Sequence, residues 1–182
     1  MATFGNNASE EYLRVIKDIC KKYKESGDKT FAQLEDRDFH FKPDPGSNSI
    51  AVIVKHLSGN MKSRFTDFLA SDGEKSDRNR DSEFEDSNMS KVEIINLWEA
   101  GWRIFVNAFE GIKEEDLIRK VTIRNEPHSV IEALNRQAAH YAYHVGQIVM
   151  LAKMIKKEEW KTLSIPKGKS NDFNKSMFSK KS

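Results

Sequence analysis

A single cysteine, Cys20, stands in a chain of 182 residues, so no internal disulfide framework is available and a reducing compartment is the expectation. Long apolar runs are missing as well. No stretch is much longer than Ile50-Ala51-Val52-Ile53-Val54, far short of the roughly 20 residues that span a bilayer. The opening Met-Ala-Thr-Phe-Gly-Asn-Asn has neither the basic head nor the apolar middle of a secretory signal, so a cytoplasmic protein without membrane association is expected. Charge of one sign is not in excess: 30 Lys and Arg face 28 Asp and Glu, a net of +2. Such a balance argues against nucleic-acid binding, which draws on a basic surplus to displace counterions from phosphates. Proline is sparse, at four residues, and 32% of the chain is charged. One domain is the default at this length, and helices arrange its apolar residues most economically.

Four stretches carry a helical period. The first follows Ser9 as N-cap, with Tyr12, Ile16, Ile19, Cys20 and Tyr23 on one face, and is expected to stop at Gly27. The second opens after a Pro-rich loop, runs through Ile50, Ile53, Val54, Leu57, Met61, Phe65 and Phe68, and ends near Ser71-Asp72-Gly73. A polar segment, 73–88, reads as an unusually long loop, a length that points to function or mobility. The third helix starts at a capping box, Ser90 with Glu93, and carries Trp98, Trp102, Phe105 and Phe109 to Gly111. This aromatic stripe reads as core packing. Between Glu114 and Asn125 the pattern suits extended chain or a small hairpin. The fourth helix runs from about Ser129 to Lys157.

The expected fold is therefore all-α, a four-helix bundle with long connections over residues 1–165, followed by a basic tail, 166–182. The tail holds five lysines and one aspartate, a net of +4, which leaves the body at −2. Phe173 and Phe178 could dock the tail on the body or on a partner; otherwise it is solvated. Aromatic residues of the first and third helices, if exposed, would supply a self-complementary patch for a homodimer.

Histidine is where the chemistry concentrates. His140 and His144 stand at i and i+4 of the fourth helix, one turn apart on one face, close enough to share a metal ion. The plainer reading of the pair is two polar residues at a helix edge. A third ligand has to come from another helix, and His56, bordering the apolar stripe of the second, is the best placed; alone, it would read as a hydrogen-bonded core residue. His128 lies too far along the chain to reach the same ion and His40 lies in a loop, so both read as structural or surface residues. No Glu follows His140 to serve as the general base of a zincin, and the inward Glu residues of a di-iron bundle are missing. Three neutral imidazoles without a carboxylate ligand leave a divalent ion its full charge and an open position, as in catalytic rather than structural zinc, and such an ion lowers the pKa of bound water or thiol. Glycine-rich phosphate loops and Gly-x-Ser-x-Gly elbows are absent, and Cys20 reads as a small core residue.

The segment Ile53-Val54-Lys55-His56-Leu57, followed far downstream by Arg136-Gln137-Ala138-Ala139-His140-Tyr141-Ala142-Tyr143-His144-Val145-Gly146-Gln147-Ile148, resembles the DinB-like (YfiT-like) metal-dependent enzymes, over roughly Ser9 to Lys157. Gly168-Lys169-Ser170 and Phe173-Asn174 look like a Bacillus-type subgroup. The resemblance implies a four-helix bundle, often homodimeric, with zinc, nickel, iron or manganese held by His56, His140 and His144. It also implies S-transfer from a low-molecular-weight thiol such as bacillithiol to an electrophile, or hydrolase or isomerase chemistry. Asn60, Arg136 and Gln147, each within a turn of a ligand, are the candidate positioning residues, with Arg136 suited to a substrate carboxylate. The rival reading is a non-catalytic helical interaction module, stabilised by the ion or lacking one.

Overall fold

The computed structural model describes Gly5 and residues 7–179. Besides four short 3-10 turns, the regular structure of the described residues is five α-helices and one two-stranded hairpin: α1 (Ala8–Phe31), α2 (Ile50–Phe65), α3 (Lys91–Glu110), β1 (Lys120–Ile123), β2 (Glu126–Ser129), α4 (Val130–Lys156) and α5 (Ser170–Ser179). Helix α2 packs on α3 and on α4, α1 packs on α4, and one apolar core joins the four.

The N-cap of α1 is Asn7 and not Ser9: its Oδ1 accepts from the backbone N–H groups of Ser9 and Glu10 at 2.9 and 3.0 Å. Nor does Gly27 end the helix, which runs on to Phe31. Gly27 is instead where α1 meets Trp98 of α3, and a Cβ there would overlap the indole ring. Its lack of a side chain serves close packing, while Trp98 Nε1 donates to Asp28 Oδ1 at 2.8 Å.

Twelve of the sixteen residues of α2 are buried, as suits a helix with neighbours on several sides. It stops at Phe65, several residues before the expected end, because the chain turns through Asp67 at φ +50°; Phe68 still reaches the core. Helix α3 keeps the Ser90–Glu93 capping box, and Trp98, Trp102, Phe105 and Phe109 are all buried. The patch expected from exposed aromatic rings on this helix is therefore missing: those rings form the centre of the core, edge to face with Phe31, Phe65 and Tyr141.

The small hairpin expected after Glu114 is present, with different bounds. A short 3-10 turn, Glu114–Asp116, precedes the hairpin, and the hairpin extends past Asn125 through Pro127 and His128. Arg124 and Asn125 form its two-residue turn at φ +56° and +61°, the left-handed pair that matches the strand twist. Both of their backbone N–H groups donate to the Asp72 carboxylate, at 2.8 and 2.9 Å. Burial opposes ionisation of Asp72, yet these donors hold its pKa well below the ordinary value. Ser129 then caps α4 through Glu132 N–H at 3.1 Å. Residues 170–179 of the tail form α5, exposed along its length, with Phe173 and Phe178 at 45% and 71% of full exposure.

Candidate metal centre

Contacts between α2 and α4 run in opposite chain directions. His56 meets His140 and His144, whereas Asn60, one turn on, meets Gln137, one turn back. The helices are thus antiparallel at this point, and each presents a polar row at one-turn spacing: His56, Asn60 and Arg64 on α2, and Arg136, His140 and His144 on α4.

The three imidazoles converge. His140 Nε2 lies 3.1 Å from His56 Nε2 and 3.1 Å from His144 Nε2, and the three ligand atoms all lie within 4.8 Å of one another. Two nitrogens bound to one ion at about 2.1 Å stand about 3.0 to 3.4 Å apart as their angle goes from square to tetrahedral, so both short edges suit a shared ion. His40 and His128 are elsewhere, as expected. His40 Nε2 is 2.8 Å from the Met89 carbonyl, and His128, on β2 and not on the fourth helix, is 3.0 Å from Glu132.

The outer nitrogens fix the tautomers. His56 Nδ1 is 2.9 Å from Glu83 Oε2, and a carboxylate only accepts, so Nδ1 carries the proton, which in the neutral ring leaves Nε2 bare. His144 Nδ1 is 3.2 Å from the Gln147 amide oxygen, with the same consequence. Two bare lone pairs therefore face His140 Nε2. One N–H there cannot fully serve both acceptors, whereas a cation serves all three nitrogens, so the donor set fits a divalent ion. Burial first, then the neighbouring imidazoles of His144 and His56, hold the His140 pKa down at about 3. Burial and His56 bring His144 to about 4, although its bond to Gln147 works the other way. Both rings are neutral, the form that ligates, across the physiological range.

Sequence reasoning missed Glu83, because segment 73–88 has no period to read. The segment is a built strap. Its 3-10 turn, Asp81–Phe84, buries Glu83 against α2 at Gly59, where a Cβ would overlap the carboxylate. Arg78 grips Glu83 with two bonds of 2.8 Å, Nε to Oε1 and Nη2 to Oε2, and both side chains are buried. Burial disfavours the Glu83 anion, but His56 and Arg78 bring its pKa below the ordinary value. Glu83 thus orients a candidate ligand without belonging to the three-His set. Phe84 stacks on His56 at 4.8 Å, and the Arg80 guanidinium lies 4.9 Å above Phe84.

Of the candidate positioning residues, Asn60 is buried and accepts from Gln137 Nε2 at 2.7 Å, beside the triad. Gln147 holds His144, as above, and also lines a wider cleft with Tyr143, Met150 and Met154. Arg136 is exposed, at the rim of a cavity of about 240 Å³ that His56, His140 and Asn60 also line. Cys20 is buried and its thiol is pushed up to about 12 by burial, so it is no nucleophile at neutral pH.

Helical packing and a three-His cluster that could hold a divalent ion beside a cavity define the class. The chain belongs to the family described as "Protein of unknown function (DUF1572)", whose sequence model matches residues 7–169. No curated protein and no solved structure matches the chain. None of the described helices is long and apolar enough to cross a membrane.

Proposed function

We propose that the protein is a divalent-metal-dependent enzyme of the DinB-like type, a four-helix bundle that transfers a low-molecular-weight thiol of the bacillithiol type to an electrophile. The observation that carries the reading is the meeting of three Nε2 atoms beside a cavity, with no fourth His, Cys, Asp or Glu in the cluster among the described residues. A purely structural site would use a fourth protein ligand. His56, His140 and His144 would hold the ion, zinc or nickel in first place and iron or manganese as alternatives, in the cytoplasm. When bound, the ion supplies Lewis acidity that favours a thiolate, or hydroxide, over its protonated form. The chain's own residues do the rest: Glu83 and Gln147 keep the outer nitrogens protonated and the rings aimed, and Asn60 and Arg136 orient the substrate from the cavity wall. Since Cys20 is an inert thiol, the attacking sulfur has to arrive as a co-substrate.

The test is thiol consumption by an alkyl halide with zinc- or nickel-loaded protein, compared with His144→Ala. Loss of both bound metal and thiol transfer in the variant is the expected result, and undiminished transfer without bound metal would sink the reading. The homodimer that the resemblance implies belongs to the same proposal. It predicts a light-scattering mass of twice the 21.0 kDa of one chain, and a monomeric mass contradicts it.

A further inference from the structure

The cavity beside the triad is lined by five arginines: Arg64, Arg78, Arg80, Arg124 and Arg136, contributed by α2, the 73–88 strap, the hairpin turn and α4. Four separate pieces of chain converge here with the same charge. Two carboxylates answer them. Glu74 takes Arg64, Arg78 and Arg124 at 3.2 to 3.3 Å, and Glu83 takes Arg78. Arg80 and Arg136 form no ion pair with a described carboxylate, so five guanidiniums against two carboxylates leave three positive charges unneutralised around about 240 Å³. Like charges gathered in this way oppose folding, and a charged cluster that folding does not favour points to a ligand of opposite sign.

Four of the five arginines are also positioned. Arg64 and Arg78 are nearly buried, with side chains 10% and 5% exposed, Arg64 donating to the Gly73 carbonyl. Arg80 rests on Phe84, and Arg124 sits in the turn that Asp72 clamps. Preorganised guanidinium forks suit planar or tetrahedral oxyanions.

We infer that this arginine cavity is a binding site for an anionic group, a carboxylate or a phosphate, which holds the substrate with its reacting atom toward His56 and His140. The location of the reacting atom rests on the metal-centre reading, whereas the anion site itself does not. A volume below that of drug-sized pockets suits one small anionic group.

The experiment is isothermal titration at fixed ionic strength of inorganic phosphate and, separately, of succinate. Each is added to the metal-free and the nickel-loaded full chain, and to the Arg80→Gln/Arg136→Gln double variant. Both substituted residues are exposed, and circular dichroism checks that the variant is folded. The wild-type chain, metal-free or loaded, is expected to bind at least one of the anions at one site, and the double variant tenfold or more weakly. Preference for phosphate assigns a phosphorylated substrate, and preference for succinate a carboxylated one. Two results overturn the inference: no binding of either anion by the wild type, or equal binding by the double variant, which would place the anion on the ion or elsewhere. Anion binding that persists in a chain inactive in thiol transfer leaves this site standing while the transferase reading falls.

Discussion

Glu83 shows how much one side chain outside the ligand set can decide. It is held from one side by Arg78 and holds His56 on the other, so Glu83→Gln keeps the shape, removes the charge and offers an amide that can turn its N–H toward His56 Nδ1. Orienting partners of this kind are worth 10- to 100-fold in metal affinity, and that is the drop expected in a competition titration with a chromophoric chelator. The variant also loses about 1–3 kcal/mol of stability, because Arg78 keeps only Glu74 as a carboxylate partner. Unchanged affinity would mean that the bond orients nothing. The histidines give a pH signature in the metal-free chain. His140 and His144 titrate near 3 and 4 when folded, below the 6.5 of an unfolded chain. Between about pH 6.5 and 4 the unfolded chain therefore binds protons that the folded chain refuses, so stability is full above this window and falls as pH drops through it. Urea midpoints at pH 7 and pH 5 should differ less in His140→Gln/His144→Gln than in the wild-type chain, and an identical difference would contradict the assignment. His140 and His144 could be paired from the sequence because i, i+4 spacing encodes a shared helix face, and His56, on another helix, was picked out by its place beside an apolar stripe. Glu83, Arg78 and Arg80 could not, since a 3-10 turn docked by charge leaves no periodic trace.

At the scale of elements, two glycines carry the lesson that punctuation in sequence is not always punctuation in structure. Gly27 was expected to end a helix and instead admits Trp98. Gly27→Ala gains about 1 kcal/mol of helix propensity but has to displace an indole in the core, at about 1–3 kcal/mol, so net destabilisation is expected in thermal unfolding. Gly59, on α2, leaves room for the Glu83 carboxylate. Gly59→Ala should lower metal affinity as Glu83→Gln does, without touching a polar group, and wild-type affinity in this variant would show that the strap can shift freely. The periods of the four long helices were legible because each has a continuous apolar stripe. Their ends were less so: Asn7, Thr66 and the left-handed Arg124-Asn125 turn are set by local hydrogen bonds and by Asp72, more than fifty residues away from that turn in sequence. The short helix α5 left no trace because it buries no residue and so needs no continuous apolar stripe.

For the whole molecule, the account is that α2 and α4 cross so that three imidazoles share one point, with a strap and a hairpin turn supplying the charges around it. Near-neutral composition concealed this arrangement, because the chain's overall charge balance says nothing of five arginines gathered on one cavity. The central claim is that the three nitrogens form a metal site, and elemental analysis of untagged protein purified without added metal tests it most directly. The account predicts close to one zinc, nickel, iron or manganese ion per chain, reduced to background in His140→Ala with the helical circular dichroism spectrum retained. Folded wild-type protein that is metal-free on purification and takes up none of these ions on titration would contradict it.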